Sequence, residues 1–97
     1  MANPDRGEID ITISGKTEQL RYSLGALKEL EMHFKCKGIS KIFANAENWG
    51  SDDFSKVFWV GLKRGSMPNV EESWVVDEFT MNNFKYYFEV LQTAMSA

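Results

Sequence analysis

From Glu8 to Ser14 the chain alternates strictly between polar and β-branched residues, with Glu8, Asp10 and Thr12 on one side and Ile9, Ile11 and Ile13 on the other. That period of two predicts a strand with one buried face. Gly15-Lys16 then supplies a two-residue turn with glycine first, and the chain returns through Thr17-Glu18-Gln19-Leu20-Arg21-Tyr22. In this register Ile11 opposes Leu20 and Ile9 opposes Tyr22, so both strands turn their apolar side the same way. A lone two-stranded ribbon is marginal in water, so helices must cover that side, and the ribbon's edges remain open to a second copy.

After residue 22 the period changes to that of a helix. Ser23 is a suitable N-cap, and Leu24, Leu27, Leu30 and Phe34 recur at helical spacing until Gly38 offers a left-handed stop. Ile39, Ile42, Phe43 and Ala46 form a short second helix, closed by the loop-like Asn48-Trp49-Gly50. Ser51 with Asp52 and Asp53 opens a third, whose stripe is Phe54, Val57, Phe58, Gly61 and Leu62 and whose end carries Lys63-Arg64. Asn69 is placed to cap a helix that begins at Val70, and Thr80 to cap a last one with Phe84, Tyr87, Phe88, Leu91 and Met95 on one face. The prediction is an α+β fold: an N-terminal β-hairpin (8–22) followed by a bundle of four to five helices (24–36, 39–46, 52–64, 70–78 and 81–95). Ninety-seven residues leave room for a single domain, 1–97. So short a chain buries a limited core, which leaves a role for a partner or a homo-oligomer.

Eleven basic against fourteen acidic residues give a net charge of −3, the wrong sign for a protein that neutralises phosphates, so no nucleic-acid partner is expected. A single cysteine, Cys36, forms no disulfide within one chain. The polar start Met1-Ala2-Asn3-Pro4-Asp5-Arg6-Gly7 lacks a secretory apolar stretch, and no run is long enough to span a membrane. A cytoplasmic location follows as the expectation.

No constellation completes a chemical site. Gly15-Lys16-Thr17 ends like a phosphate-binding loop, but Asp10 stands where its first glycine belongs and a strand follows in place of a helix. His33 and Cys36, with Glu29 one turn earlier, could share a helix face, yet they are too few for a metal centre and lack the oxyanion donors that Cys–His catalysis needs. The pairs Asp52/Asp53 and Glu71/Glu72 offset helix dipoles, and Asp77/Glu78 precede the last helix. Lys35, Lys37, Lys41, Lys56, Lys63 and Arg64 gather at helix ends as a solvated basic face. The expectation is a non-enzyme with no catalytic residue, metal or cofactor.

The surplus is aromatic and sulfur-bearing: seven Phe, three Tyr, three Trp and five Met. Trp59 and Val60 fall off the main stripe of their helix, Trp74 sits among acidic residues, and Tyr86 with Val90 flanks the last stripe. Such residues either complete a core wrapped on two sides or form an apolar contact surface.

The opening Met1 to Glu8, the short hairpin, and then Leu20-Arg21-Tyr22-Ser23-Leu24-Gly25-Ala26-Leu27-Lys28-Glu29-Leu30-Glu31 resemble the small tail proteins of phages and gene transfer agents, labelled tail assembly chaperone or tail tube protein. Gly61 to Gly65 and Val75 to Phe79 are similar more loosely. The second half departs from those relatives' small alanine-rich helices by placing Phe58, Trp59, Tyr86 and Tyr87 there, so no binding roles carry over to it. The resemblance implies a non-catalytic morphogenesis protein of the bacterial cytoplasm. A tube subunit is expected to need long strands, and one short hairpin does not supply them. The leading expectation is therefore an assembly chaperone that keeps the tape-measure protein soluble through Trp59, Trp74 and Tyr86, with other tail proteins as further partners. The alternative is a structural tail component, such as a tube or tube-associated subunit.

Overall fold

In a computed structural model of the chain, residues 8–96 are described, apart from the side chains of 81, 82, 84 and 93–96. The opening residues 1–7 and the stripe positions Phe84 and Met95 lie outside that description. Strands β1 (Glu8–Ile13) and β2 (Lys16–Arg21) form an antiparallel hairpin. It is followed by α1 (Leu24–Phe34), α2 (Ile39–Ala44), a 3₁₀ turn (Ala46–Asn48), α3 (Ser51–Arg64), α4 (Glu72–Glu78) and α5 (Met81–Ser96). The α+β class with a leading hairpin is thus the observed one.

The hairpin turn differs from the expected one. Its central residues are Ser14 and Gly15, with φ of 53° and 79°. Two successive positive φ values match the twist of the flanking strands, whereas a turn on Gly15-Lys16 leaves Ser14 in the ladder. Ile9 therefore opposes Leu20, Ile11 opposes Glu18 and Ile13 opposes Lys16. The register moves by two residues, an even step that leaves each side chain on its face. Ile11, Ile13 and Leu20 are all buried, as the alternation requires. At the tip the Ser14 hydroxyl donates to the Glu78 carboxylate, tying the turn to α4.

Helix boundaries also depart from expectation: α2 ends at Ala44, two residues early, and at three other boundaries a hydrogen bond intervenes. Lys35, at φ 53°, takes the left-handed position that ends α1, three residues before Gly38. Gly50 caps α3, its N–H donating to the Asp53 carboxylate at 2.9 Å, so that Ser51, expected at the start of the helix as its cap, is already its first residue. Val70 does not enter α4, because its N–H closes a turn on Met67 and its carbonyl accepts the Trp59 indole N–H at 3.0 Å. By contrast, Thr80 and Asn83 exchange the two bonds expected of a cap before α5.

Helix α3 is the spine, packed against β2, α1 and α4. Val57, Phe58, Val60 and Leu62 are completely buried along it. Val60, off the single predicted stripe, is buried because α3 is enclosed on more than one side. The hairpin rests on this helix at Gly61: a methyl group there would lie 2.7 Å from the Tyr22 hydroxyl and 3.0 Å from a Leu20 methyl. That hydroxyl donates to the Val57 carbonyl at 2.9 Å, and burial pushes the phenol far above its ordinary pKa. The outer edge of β2 is closed by Ser66, whose N–H donates to the Gln19 carbonyl and whose hydroxyl accepts from the Gln19 N–H.

Alanine is the better helix former by ~1 kcal/mol, so Gly61→Ala would stabilise α3 if space alone were neutral. Here the expected outcome is a loss of about 1–3 kcal/mol in denaturant unfolding, and a smaller loss in a Tyr22→Ala background, where the clash is partly removed.

Candidate functional site

Helices α1 and α3 run antiparallel and are pinned at both ends. At one end the Glu29 carboxylate accepts from Lys63 Nζ at 2.6 Å and from Arg64 Nε at 3.0 Å and Nη2 at 2.9 Å. Burial on its own pushes Glu29 upward, but the hydrogen bonds and positive charges of Lys63 and Arg64 outweigh it and hold the carboxyl below its ordinary pKa. At the other end His33 Nε2 meets Asp53 Oδ1 at 2.8 Å, while the second oxygen of Asp53 caps α3. Glu29, His33 and Cys36, candidates for a shared face, are thus divided: two serve opposite ends of one helix pair and Cys36 is a half-buried free thiol. Among the described residues no three His, Cys, Asp or Glu side chains come together as a metal site would need.

Two aromatic clusters stand beyond this pair. Trp49 is the hub of the first, with ring centroids 5.1 Å from Phe34, 5.3 Å from Phe43, 5.0 Å from Phe54 and 6.3 Å from Phe88. The second joins Phe58, Phe79 and Tyr87 at 4.4–6.3 Å. Between the clusters lies a groove of about 350 Å³ lined chiefly by Trp49, Phe54, Val75, Val76 and Phe79. Asp52 stands on its wall and Asp77 follows Val76; both are exposed. Val75 is sealed below while its neighbour Val76 is 55% exposed, so α4 turns one valine to the core and the other to solvent. The groove is apolar with acidic surroundings, the form of a site for a protein segment.

The three expected contact residues differ in exposure. Trp59 is half-buried, spends its N–H on Val70, and lies with Lys63 Nζ 4.0 Å and Lys56 Nζ 4.6 Å from its ring centroid. Trp74 is half-buried beside Met67, Pro68 and Val70. Tyr86 is 49% exposed on α5, against Tyr87. Trp49, the hub, escaped sequence reasoning because it sits in a loop with no periodicity; a large aromatic between two short helices was the available signal. Among the described residues Leu24 and Met32 are the most exposed large apolar ones, at 81% and 79%; Leu24, expected on the apolar stripe of α1, stands off the core because it opens the helix on the side away from Ala26 and Leu30.

The depressed Glu29 carboxyl makes the α1–α3 pairing acid-sensitive. Its contribution is complete above the unfolded carboxyl pKa and is lost as pH falls through the lower folded value. With the partial exposure discounted it amounts to roughly 1 kcal/mol. Thermal unfolding from about pH 6 to pH 3 is expected to destabilise the wild type more than Glu29→Gln, the two curves converging in acid.

No helix among the described residues is long and apolar enough to cross a membrane. Comparison with curated proteins and with solved structures finds no match. The family described as phage tail tube protein, GTA-gp10, matches residues 6–97, which takes in the hairpin, all five helices and the groove. The chain belongs to that family of phage and gene-transfer-agent tail proteins.

Proposed function

We propose that this protein is a structural component of a phage or gene-transfer-agent tail, made in the bacterial cytoplasm and incorporated with other tail proteins without catalysing a reaction. The observation that carries the reading is the extent of the family match, 6–97: the tail-tube description applies to the domain as a whole and not to an appended segment. The expectation of long strands, which favoured a chaperone, presumes that a tube part must contribute a continuous sheet. A part that attaches through helix faces needs none; of the two six-residue strands here, β2 packs on α3 with its outer edge closed by Ser66, and β1 packs on α5.

The tape-measure chaperone gains no support from the family, which is described by the tube. Its proposed surface also lacks the breadth a holder of long apolar helices requires. Trp59 and Trp74 are half-buried, and the large apolar residues exposed among those described are Leu24, Met32, Val76 and Tyr86, spread over three helices.

Purified particles distinguish the two roles. As a structural component, the chain should be found by quantitative mass spectrometry in intact tails in a fixed ratio to the other tail proteins, and deletion of its gene should stop tail completion. Absence from particles, together with a higher soluble yield of the tape-measure protein on co-expression, would return the assignment to a chaperone.

A further inference from the structure

The outer side of α1 carries two of the four large apolar residues exposed among those described. Its core side is Ala26 and Leu30, and the opposite ridge runs Leu24, Lys28, Met32 at intervals of four, all exposed. Residues four apart stack on successive turns, so these three form a row ~12 Å long with a cation between two flexible apolar side chains. The groove between the aromatic clusters has the reverse character: an apolar floor of Trp49, Phe54 and Phe79, an exposed Val76, and the carboxylates of Asp52 and Asp77 nearby.

We propose that the α1 ridge of one copy docks into the α3–α4 groove of the next, with Leu24 and Met32 on the apolar floor and Lys28 toward Asp52. The occupant is a second copy because the two faces complement each other in both apolarity and charge. The contact is head-to-tail for the same reason: ridge against ridge would set Lys28 beside its own copy, and groove against groove would do so with Asp52. A surface that meets a different surface on its neighbour does not stop at a dimer; it closes into a ring or extends into a filament. This pairing rests on the two surfaces alone and holds whether or not the chain remains in a finished tail.

The test is sedimentation velocity over a concentration series for the wild type, Met32→Glu on the ridge and Val76→Glu in the groove. Both substituted positions are exposed, so circular dichroism and thermal unfolding should match the wild type; if Val76→Glu fails to fold, Asp52→Lys replaces it. The wild type is expected to associate beyond a dimer, and each variant to raise the dissociation constant roughly tenfold or more. Mixing the variants supplies one intact ridge and one intact groove, so the mixture should form a heterodimer and go no further. A wild type that stays monomeric throughout, a variant that associates as the wild type does, or a mixture that stays monomeric would each overturn the proposal.

Discussion

The hairpin's seat on α3 is the constraint from which the other contacts follow. Two six-residue strands cannot hold together alone; α5 packs on β1, and β2 is covered because α3 comes close enough at Gly61 to admit Tyr22 and Leu20. So close an approach brings the Tyr22 hydroxyl to a helix carbonyl and brings the loop after α3 to the edge of β2, where Ser66 takes over the pairing that a third strand would have made. With β2 occupying one side of α3, α1 and α4 are left the others, which is why this helix is buried around more of its circumference than one stripe provides.

Aromatic residues solve a problem of scale. A domain of this size has few layers, and large rings fill the corners where short helices meet. Trp49 does so where α1, α2, α3 and α5 converge, with the cost that its indole N–H is buried and has no acceptor among the described residues. An unmet donor costs about 1–3 kcal/mol, and four ring contacts at ~0.5–1.5 kcal/mol each are enough to offset it. Convex rings packed around such a corner leave the hollow between α3 and α4. The groove is thus a product of how the core is built, and its floor is held by residues that the fold already needs.

What was legible in the sequence was periodicity. The isoleucine alternation fixed the buried side of β1, and the 3.6-residue stripes located α1, α3 and α5, because these signals repeat many times. What was not legible depended on single distant contacts. The turn moved to Ser14-Gly15, where a hydroxyl reaches Glu78 sixty-four residues away, and α4 started late because Trp59 claims the Val70 carbonyl. The aromatic surplus was evident from composition, yet which rings it would join was not: spacing within α3 marks Trp59 as off-stripe and acidic neighbours single out Trp74, but neither speaks of the loop between those helices that lies against both. The groove was hidden for a further reason, since its walls come from a loop, a helix start and one side of a short helix, none of which shares a period.

Size decides between holding a client and joining an assembly. A holder must present one broad, adaptable apolar field, because its client arrives in many conformations. A part of an assembly needs only a few well-placed features, because the same contact recurs with every copy and rigid neighbours fix the angle at which it forms. Among the described residues the exposed large apolar side chains are few, two on one ridge of α1 beside Lys28 and one each on α4 and α5, on helices whose own positions are fixed by ion pairs and ring contacts. Rigid support behind small, charge-marked contacts favours a repeated neighbour over a changing one. A small domain with a nearly consumed core is then suited to a tail by what it leaves uncovered.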